Sequence, residues 1–293
     1  MTRATSATDA AGFLAAYDEV LAARWPAGTA STQIPTPYGT TRLNSYGPEG
    51  APPLLLLPGG GATSTVWYAQ AAALGRTHRV HAVDLVGEPG RSAAGERPVR
   101  SVEDLRGWLD AVLDALGPGP VALCGHSYGG WIALHHALHA PHRVRRLVLV
   151  DPTGCFAGFR PRYLVRALPM LLRPDAARTR AFLAWETGHA ALDPVWLRMR
   201  EEAAGLPWAR PVTGPRPSPE ALRGLGVPAL VLLAGQGRAQ DASRVGAAVN
   251  RLLPQAETVV LPGVSHHALP LYGPVTAELN RRMEDFLDAE AAA

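Results

Sequence analysis

Ten residues, Val121 to Gly130, restrict what this chain can fold into more than any others. They read Val-Ala-Leu-Cys-Gly-His-Ser-Tyr-Gly-Gly. Val121–Cys124 is a short apolar run of the kind that forms a buried strand. Gly125-His126-Ser127-Tyr128-Gly129 is a G-x-S-x-G pentapeptide, and residues 130–139 read as a helix stopped by Pro141. A serine held in so sharp a strand-to-helix turn sits in strained backbone. The residues two before and two after it need to be glycine-sized, because the strand end and the helix start nearly touch. Ser127 is thereby lifted above the end of a sheet, within reach of a base, and the backbone N–H of Tyr128 is directed at the same point. The bare pentapeptide recurs by chance. With a strand before it and a helix after it, Ser127 becomes a candidate nucleophile.

On these residues the sequence resembles the α/β-hydrolase family, and the resemblance runs over about residues 35–290. It implies a doubly wound, mostly parallel eight-stranded sheet with a helical cap inserted into it. The expected divisions are an N-terminal helical extension (1–32), the first part of the core (33–152), a cap (153–222) and the second part of the core (223–293).

The rest of the chain can be read in order. Residues 9–24 predict an amphipathic helix with Phe13, Leu14, Tyr17, Val20 and Leu21 on one face. Covering a sheet edge is its simplest role; roofing a site or pairing in a homodimer are the others. Residues 33–46 predict a hairpin around Tyr38-Gly39. Leu54–Leu57 is a continuous apolar run, as expected for a strand buried on both faces. Pro58-Gly-Gly-Gly-Ala62 follows, where the family resemblance implies an oxyanion donor, and by position this is the N–H of Gly60. Pro58 stands where the family usually has histidine. A phosphate-cradling loop is the rival reading, but neither Lys-Ser/Thr nor G-x-G-x-x-G is present. Asp84 to Ser92 resembles a structural loop of the family, so neither Asp84 nor Glu88 is assigned chemistry. Strands and helices alternate up to Asp151-Pro152, which argues for a parallel sheet with ligands beyond its strand C-termini. Pro58, Ser127 and Asp151 all fall at such ends.

Residues 153–222 break this alternation. Helices are expected near 163–172, 175–187 and 194–204. Phe156, Phe159, Trp185, Trp196 and Trp208 are candidates to line an apolar pocket, with Phe156 and Trp185, together with His267, taken as substrate-binding residues. Beyond the cap, residues 227–235 and 257–261 predict strands, and a helix closes the chain from Val275.

A serine hydroxyl needs a base, and the base needs an acid to hold its tautomer. The base expected from the resemblance is His266, just past the last strand, with His267 the rival by one position. Counted from Gly235, the usual place of the acid holds Arg238. Two carboxylates remain. Asp151 ends a strand, where some family members carry their acid. Asp241 opens a helix as a plausible N-cap. Both keep the order serine, acid, histidine.

The resemblance implies a serine hydrolase acting on a small, apolar acyl substrate, whether ester, thioester or lactone, with Gly60 and Tyr128 forming the oxyanion hole. Alternatives on the same residues are acyl transfer or cyclisation, cleavage of a C–C bond, and a non-catalytic ligand-binding member of the fold. No cofactor is expected. Histidines 135, 136, 139 and 142 have no metal partner at convincing spacing.

Net charge is +3, all basic residues are arginine, and they are scattered except for a cluster from Arg160 to Arg180. A nucleic-acid partner is therefore not expected, though the cluster suits an acidic ligand or partner. Two cysteines imply no disulfide framework. Asp9, Asp18 and Glu19 interrupt any apolar core near the start, so no signal peptide or membrane span is read, and a cytoplasmic protein with no membrane partner is expected.

Overall fold

The computed structural model describes residues 7–289 apart from 208, 210 and 272. The chain opens with α1 (Ala7–Arg24), then the hairpin β1 (Ala30–Thr36) and β2 (Gly39–Tyr46), followed by β3 (Pro53–Leu57), α2 (Tyr68–Leu74) and β4 (Arg79–Val83). Next come β5 (Ala93–Ala94), α3 (Val102–Leu116), β6 (Val121–His126), α4 (Tyr128–His139) and β7 (Val144–Val150). Four helices follow in a row: α5 (Pro161–Leu172), α6 (Ala176–Glu186), α7 (Pro194–Ala203) and α8 (Pro219–Arg223). The chain returns to the sheet with β8 (Ala229–Ala234), α9 (Ala242–Leu252) and β9 (Glu257–Leu261), and ends in α10 (Gly273–Asp288).

Eight strands lie in the order β1-β2-β4-β3-β6-β7-β8-β9. From β4 to β9 the neighbours are parallel, while β1 and β2 are antiparallel. The two-residue β5 pairs with β2 and makes a ninth strand beyond the expected eight. Its sequence, Ala-Ala between a proline-glycine loop and another glycine, carries no periodic signal. In the parallel strands successive side chains enter two different cores. Leu55, Leu57, Leu123, Leu149 and Leu233 join α3, α4 and α9 on one face. Leu54, Leu56, Cys124, Val150 and Leu232 join α1, α2, α10 and cap residues on the other. Because both faces are covered, these strands read as unbroken apolar runs.

The N-terminal helix does not act as an edge cover. It packs against cap helix α7, with Arg24 paired to Asp193 and Glu19 to Arg198. Buried Tyr17 receives a hydrogen bond from Asn44 Nδ2 (2.7 Å) and donates to Asp84 (3.0 Å). Asp84 also accepts from the backbone N–H groups of Ser64 and Arg91, which makes it a structural anchor for two loops. No helix among the described residues is long and apolar enough to cross a membrane.

Candidate active site

The turn from β6 to α4 has the strain expected of it. Ser127 has φ 53° and ψ −114°, a conformation that costs a non-glycine residue about 1–3 kcal/mol. The flanking glycines are dictated by contact. A Cβ on Gly125 would lie 2.2 Å from the carbonyl oxygen of Gly129, and one on Gly129 would lie 2.3 Å from that of Leu57. Ser127 Oγ projects beyond the strand ends and is 2.9 Å from His266 Nε2. On the other side of the ring, His266 Nδ1 is 2.6 Å from Asp151 Oδ2. Asp151 ends β7 with its own positive φ of 43°, and its second oxygen accepts the N–H of Ala234. Asp151 and His266 are buried, so their hydrogen bond is shielded from water.

Asp241 stands elsewhere. It caps α9 by accepting the N–H of Arg244 and pairs with Arg160 at 2.7 Å, with half its side chain in solvent. Of the two carboxylates, the fold brings only Asp151 to the imidazole. Arg238, at the place where the resemblance puts the acid, lies with its guanidinium 4.9 Å from the centre of the Trp185 ring.

Burial opposes a charge on His266, but the hydrogen bond and charge of Asp151, helped by Glu186, outweigh it and hold the imidazole pKa above the ordinary value. His267 behaves oppositely: burial pushes its pKa down in spite of Glu186. The two neighbouring histidines are thus separated by their surroundings. Glu186, on cap helix α6, has no solvent exposure. One carboxylate oxygen accepts the N–H of His266 (3.1 Å); the other accepts Ser265 Oγ (3.0 Å) and the N–H of His267 (3.1 Å), and lies 3.2 Å from His267 Nδ1. Burial raises its pKa, but these donors and the neighbouring histidines overcome that and bring it to about 2. From beneath, His126 Nε2–H donates to the carbonyl of His266 at 3.0 Å. The loop carrying the candidate base is therefore clamped by the cap from one side and the elbow from the other. Neither clamp was visible in the sequence. Glu186 lies 80 residues from His266, and no local pattern links them.

Gly60 and Tyr128 adjoin one another beside Ser127. Their backbone N–H groups have no partner among the described residues, whereas the N–H of the next glycine, Gly61, is taken by Glu88 Oε2 at 2.8 Å. These two free donors face a cavity of about 550 Å³ lined chiefly by Trp131, Tyr163, Met170, Phe182 and Leu183, with Ser127, His266 and His267 in its wall. A second space of about 340 Å³ adjoins it, sharing Gly60, Met170 and Arg200. Arg200 interrupts the apolar lining. Its guanidinium has no hydrogen bond and no carboxylate within ion-pair distance among the described residues, and burial pulls its pKa down to about 10 although Glu88 opposes this.

The expected pocket aromatics divide. Phe159 lines the cavity. Phe156 does not: it is buried in the core with Trp131 and Ile132. Trp185 does not line it either. Arg166 and Arg238 sit over its ring and Phe182 lies 6.0 Å away between centroids, so it packs the cap together. Trp196 is buried against the core under α1. Trp208 lies outside the described residues. Trp131 and Phe182 also line the cavity, and the sequence does not single them out because they are on helices whose apolar positions serve equally for core and cavity. His135 and His136 pack inside α4, and among the described residues no group of metal-binding side chains comes together.

This arrangement agrees with what the chain is similar to. Residues 54–278 match the model of the alpha/beta hydrolase family. The chain belongs to that family. A Bacillus subtilis protein named uncharacterized carboxylesterase nap is 30% identical over 284 residues, covering 94% of this chain and 91% of that protein. Carboxylesterase YbfK of the same organism is 32% identical over 197 residues, 67% of this chain and 64% of its own length. In three dimensions, the crystal structure of YbfK superposes with a TM-score of 0.89 at 25% identity, covering 97% of this chain and all of that one (100%). The crystal structure of a naproxen esterase from B. subtilis gives 0.86 at 26% identity, with 98% and 100% covered. The fold and the hydrolase architecture are those of this α/β-hydrolase.

Proposed function

We propose that this α/β-hydrolase is a carboxylesterase that works through an acyl-enzyme on Ser127. The observation that carries the reading is the buried line Ser127 Oγ, His266 Nε2, His266 Nδ1, Asp151 Oδ2, with gaps of 2.9 and 2.6 Å, in the wall of a mainly apolar cavity. The similar proteins named as carboxylesterases point the same way.

The chemistry follows from the positions. His266 takes the hydroxyl proton on Nε2 as Ser127 Oγ attacks the ester carbonyl. Asp151 accepts the hydrogen bond from Nδ1–H, which keeps the lone pair on Nε2 and stabilises the imidazolium that forms. The carbonyl oxygen, now negative, is held by the N–H groups of Gly60 and Tyr128; losing one such donor typically costs ~100- to 1000-fold in rate. His266 then passes its proton to the departing alkoxide. Water enters, gives a proton to the same nitrogen, and attacks the acyl carbon. The acid leaves and the proton returns to Ser127.

The cavity volume suits an ester of moderate size with an apolar acyl or alcohol part. Among the described residues Arg200 offers the one strong cationic donor in that wall and would meet a carboxylate or carbonyl of the substrate there.

The test is a fluorophosphonate probe with mass spectrometry to locate the adduct, alongside product analysis on a panel of esters. Labelling at Ser127 and release of free acid are expected. A folded wild type that neither labels nor hydrolyses would overturn the reading. An acyl group delivered to an acceptor other than water would move it to transferase chemistry.

A further inference from the structure

Large apolar side chains are almost all kept from water in this protein, with one concentrated exception. Among the described residues seven large hydrophobics are exposed, and six of them are Phe159, Leu164, Val165, Leu168, Leu171 and Leu172. All six lie on α5 or just before it. Val165 and Leu172 are each 71% exposed. Exposed apolar residues scattered singly are ordinary, but a contiguous patch marks a surface that meets something.

Helical spacing organises the patch. Tyr163, Ala167 and Met170, at steps of four and three, turn inward and line the cavity. Val165, Leu168 and Leu172 repeat at steps of three and four on the outer side, flanked by Leu164 and Leu171. The helix is therefore apolar beyond what packing on the cap requires. Arg162, Arg166 and Arg173 border the stripe, and all three are exposed. The side chains of Arg162 and Arg173 have no charged or hydrogen-bonding partner among the described residues, and no acidic residue occurs between Asp151 and Asp175. Phe159, Leu164 and Leu171 are at once exposed and part of the cavity lining, so the mouth of the cavity opens through this face.

We propose that α5 docks this protein on an anionic lipid surface, with the outer apolar stripe among the acyl chains, the bordering arginines at the headgroups, and the cavity mouth turned toward the lipid. An amphipathic helix of this type lies in the interfacial plane and sinks about 5–10 Å into it. Charge decides against a second copy as the occupant. A two-fold contact would set one arginine-bordered stripe against another, without a carboxylate on α5 to relieve it. An apolar ester dissolved in the lipid would reach Ser127 without crossing water. The docking itself does not depend on the esterase reading, because it can be measured without turnover.

The experiment is flotation of the full chain with vesicles of phosphatidylcholine alone or mixed with phosphatidylglycerol, at low and high salt. Wild type is expected to float with the mixed vesicles at low salt and to release at high salt. Two double variants probe the two halves of the argument. V165Q/L172Q removes apolar surface and should weaken partition at least tenfold per side chain. R162Q/R173Q should weaken binding to mixed vesicles by roughly 30-fold, about fivefold for each charge, and leave the weak binding to neutral vesicles unchanged. None of these side chains lines the cavity, so hydrolysis of a short, water-soluble ester and the melting temperature should stay at wild-type values. Ser127→Ala should float as wild type does, which separates docking from catalysis. Failure of wild type to bind either vesicle, equal binding by all variants, or light scattering that finds a dimer broken by V165Q/L172Q would overturn the proposal.

Discussion

Replacing Glu186 with glutamine keeps the shape of a buried side chain and changes one carboxylate oxygen to an amide group. Both oxygens of Glu186 accept a backbone N–H, one from His266 and the other from His267, each at 3.1 Å. Whichever way the amide is turned, its NH₂ faces an N–H that cannot rotate away. One buried donor is then left unmatched, which costs about 1–3 kcal/mol, and the remaining hydrogen bonds lose their charge assistance. A total near 3 kcal/mol is expected, equivalent to roughly 5 °C in melting temperature for a chain of this size. The activity should fall as well. Glu186 holds the backbone on which His266 rides, and displacing a catalytic group by about 1 Å can cost ~100-fold. A purely structural contribution would lower stability alone. The distinguishing readout is the acidic limb of kcat/KM against pH. Glu186 is among the charges that raise the His266 pKa, so E186Q should move that limb to lower pH. Thermal melting and a pH–rate profile on one soluble ester suffice. A variant with wild-type melting temperature and an unshifted limb would refute the clamp.

Five further outcomes are expected. Activity of the wild type should fall on the acid side as His266 becomes protonated, with the midpoint above the ordinary histidine value because Asp151 favours the charged ring. Asp151→Asn should lower kcat by about 10,000-fold, by analogy with the known triad case, and move the limb downward, whereas Asp241→Asn should leave both nearly unchanged; equal effects of the two would refute the assignment. Gly129→Ala places a Cβ 2.3 Å from the Leu57 carbonyl and should yield insoluble or unfolded protein, checked by soluble expression and circular dichroism. The folded-state pKa of Glu186 lies near 2 against 4.5 for a free glutamate. Its stabilisation should therefore be present above pH 4.5 and be lost as pH falls toward 2, a loss of roughly 3 kcal/mol that E186Q should lack in acid denaturation. Arg200→Met should raise KM for esters bearing a carboxylate more than for neutral esters of the same length, measured on matched substrates.

The parts of this protein legible in the sequence are those set by short-range physics. The strand runs are apolar because both sheet faces are covered, so Leu54–Leu57 and Val144–Val150 could be read from composition. Helix α3 announces itself through Ser101 and Asp104, which form a capping box in the structure. The elbow was readable because Gly125 answers to the backbone of Gly129 just beyond Ser127, although what requires Gly129 to be bare, the carbonyl of Leu57, lies on a different strand. The N-terminal helix was recognisable by its period, yet its role was not, since the partner it braces, α7, lies about 170 residues further on. Two-residue β5 had no pattern to find.

The sequence by itself determined the α/β architecture, the position of the candidate nucleophile and a short list of partners for it. Tertiary structure decided among them. Asp151 and Asp241 are equally acidic on paper; one faces His266 because β7 ends beside it, and the other is spent on a helix cap and Arg160. Trp185 and Phe156 are as aromatic as Trp131 and Phe182, but only tertiary packing separates those that fill the cap or the core from those that line the cavity. Glu186 and the outer stripe of α5 follow the same logic. Whether a carboxylate clamps a loop, or a leucine faces solvent, depends on what the rest of the chain brings against it, and that is a property of distances in space that residue order alone does not contain.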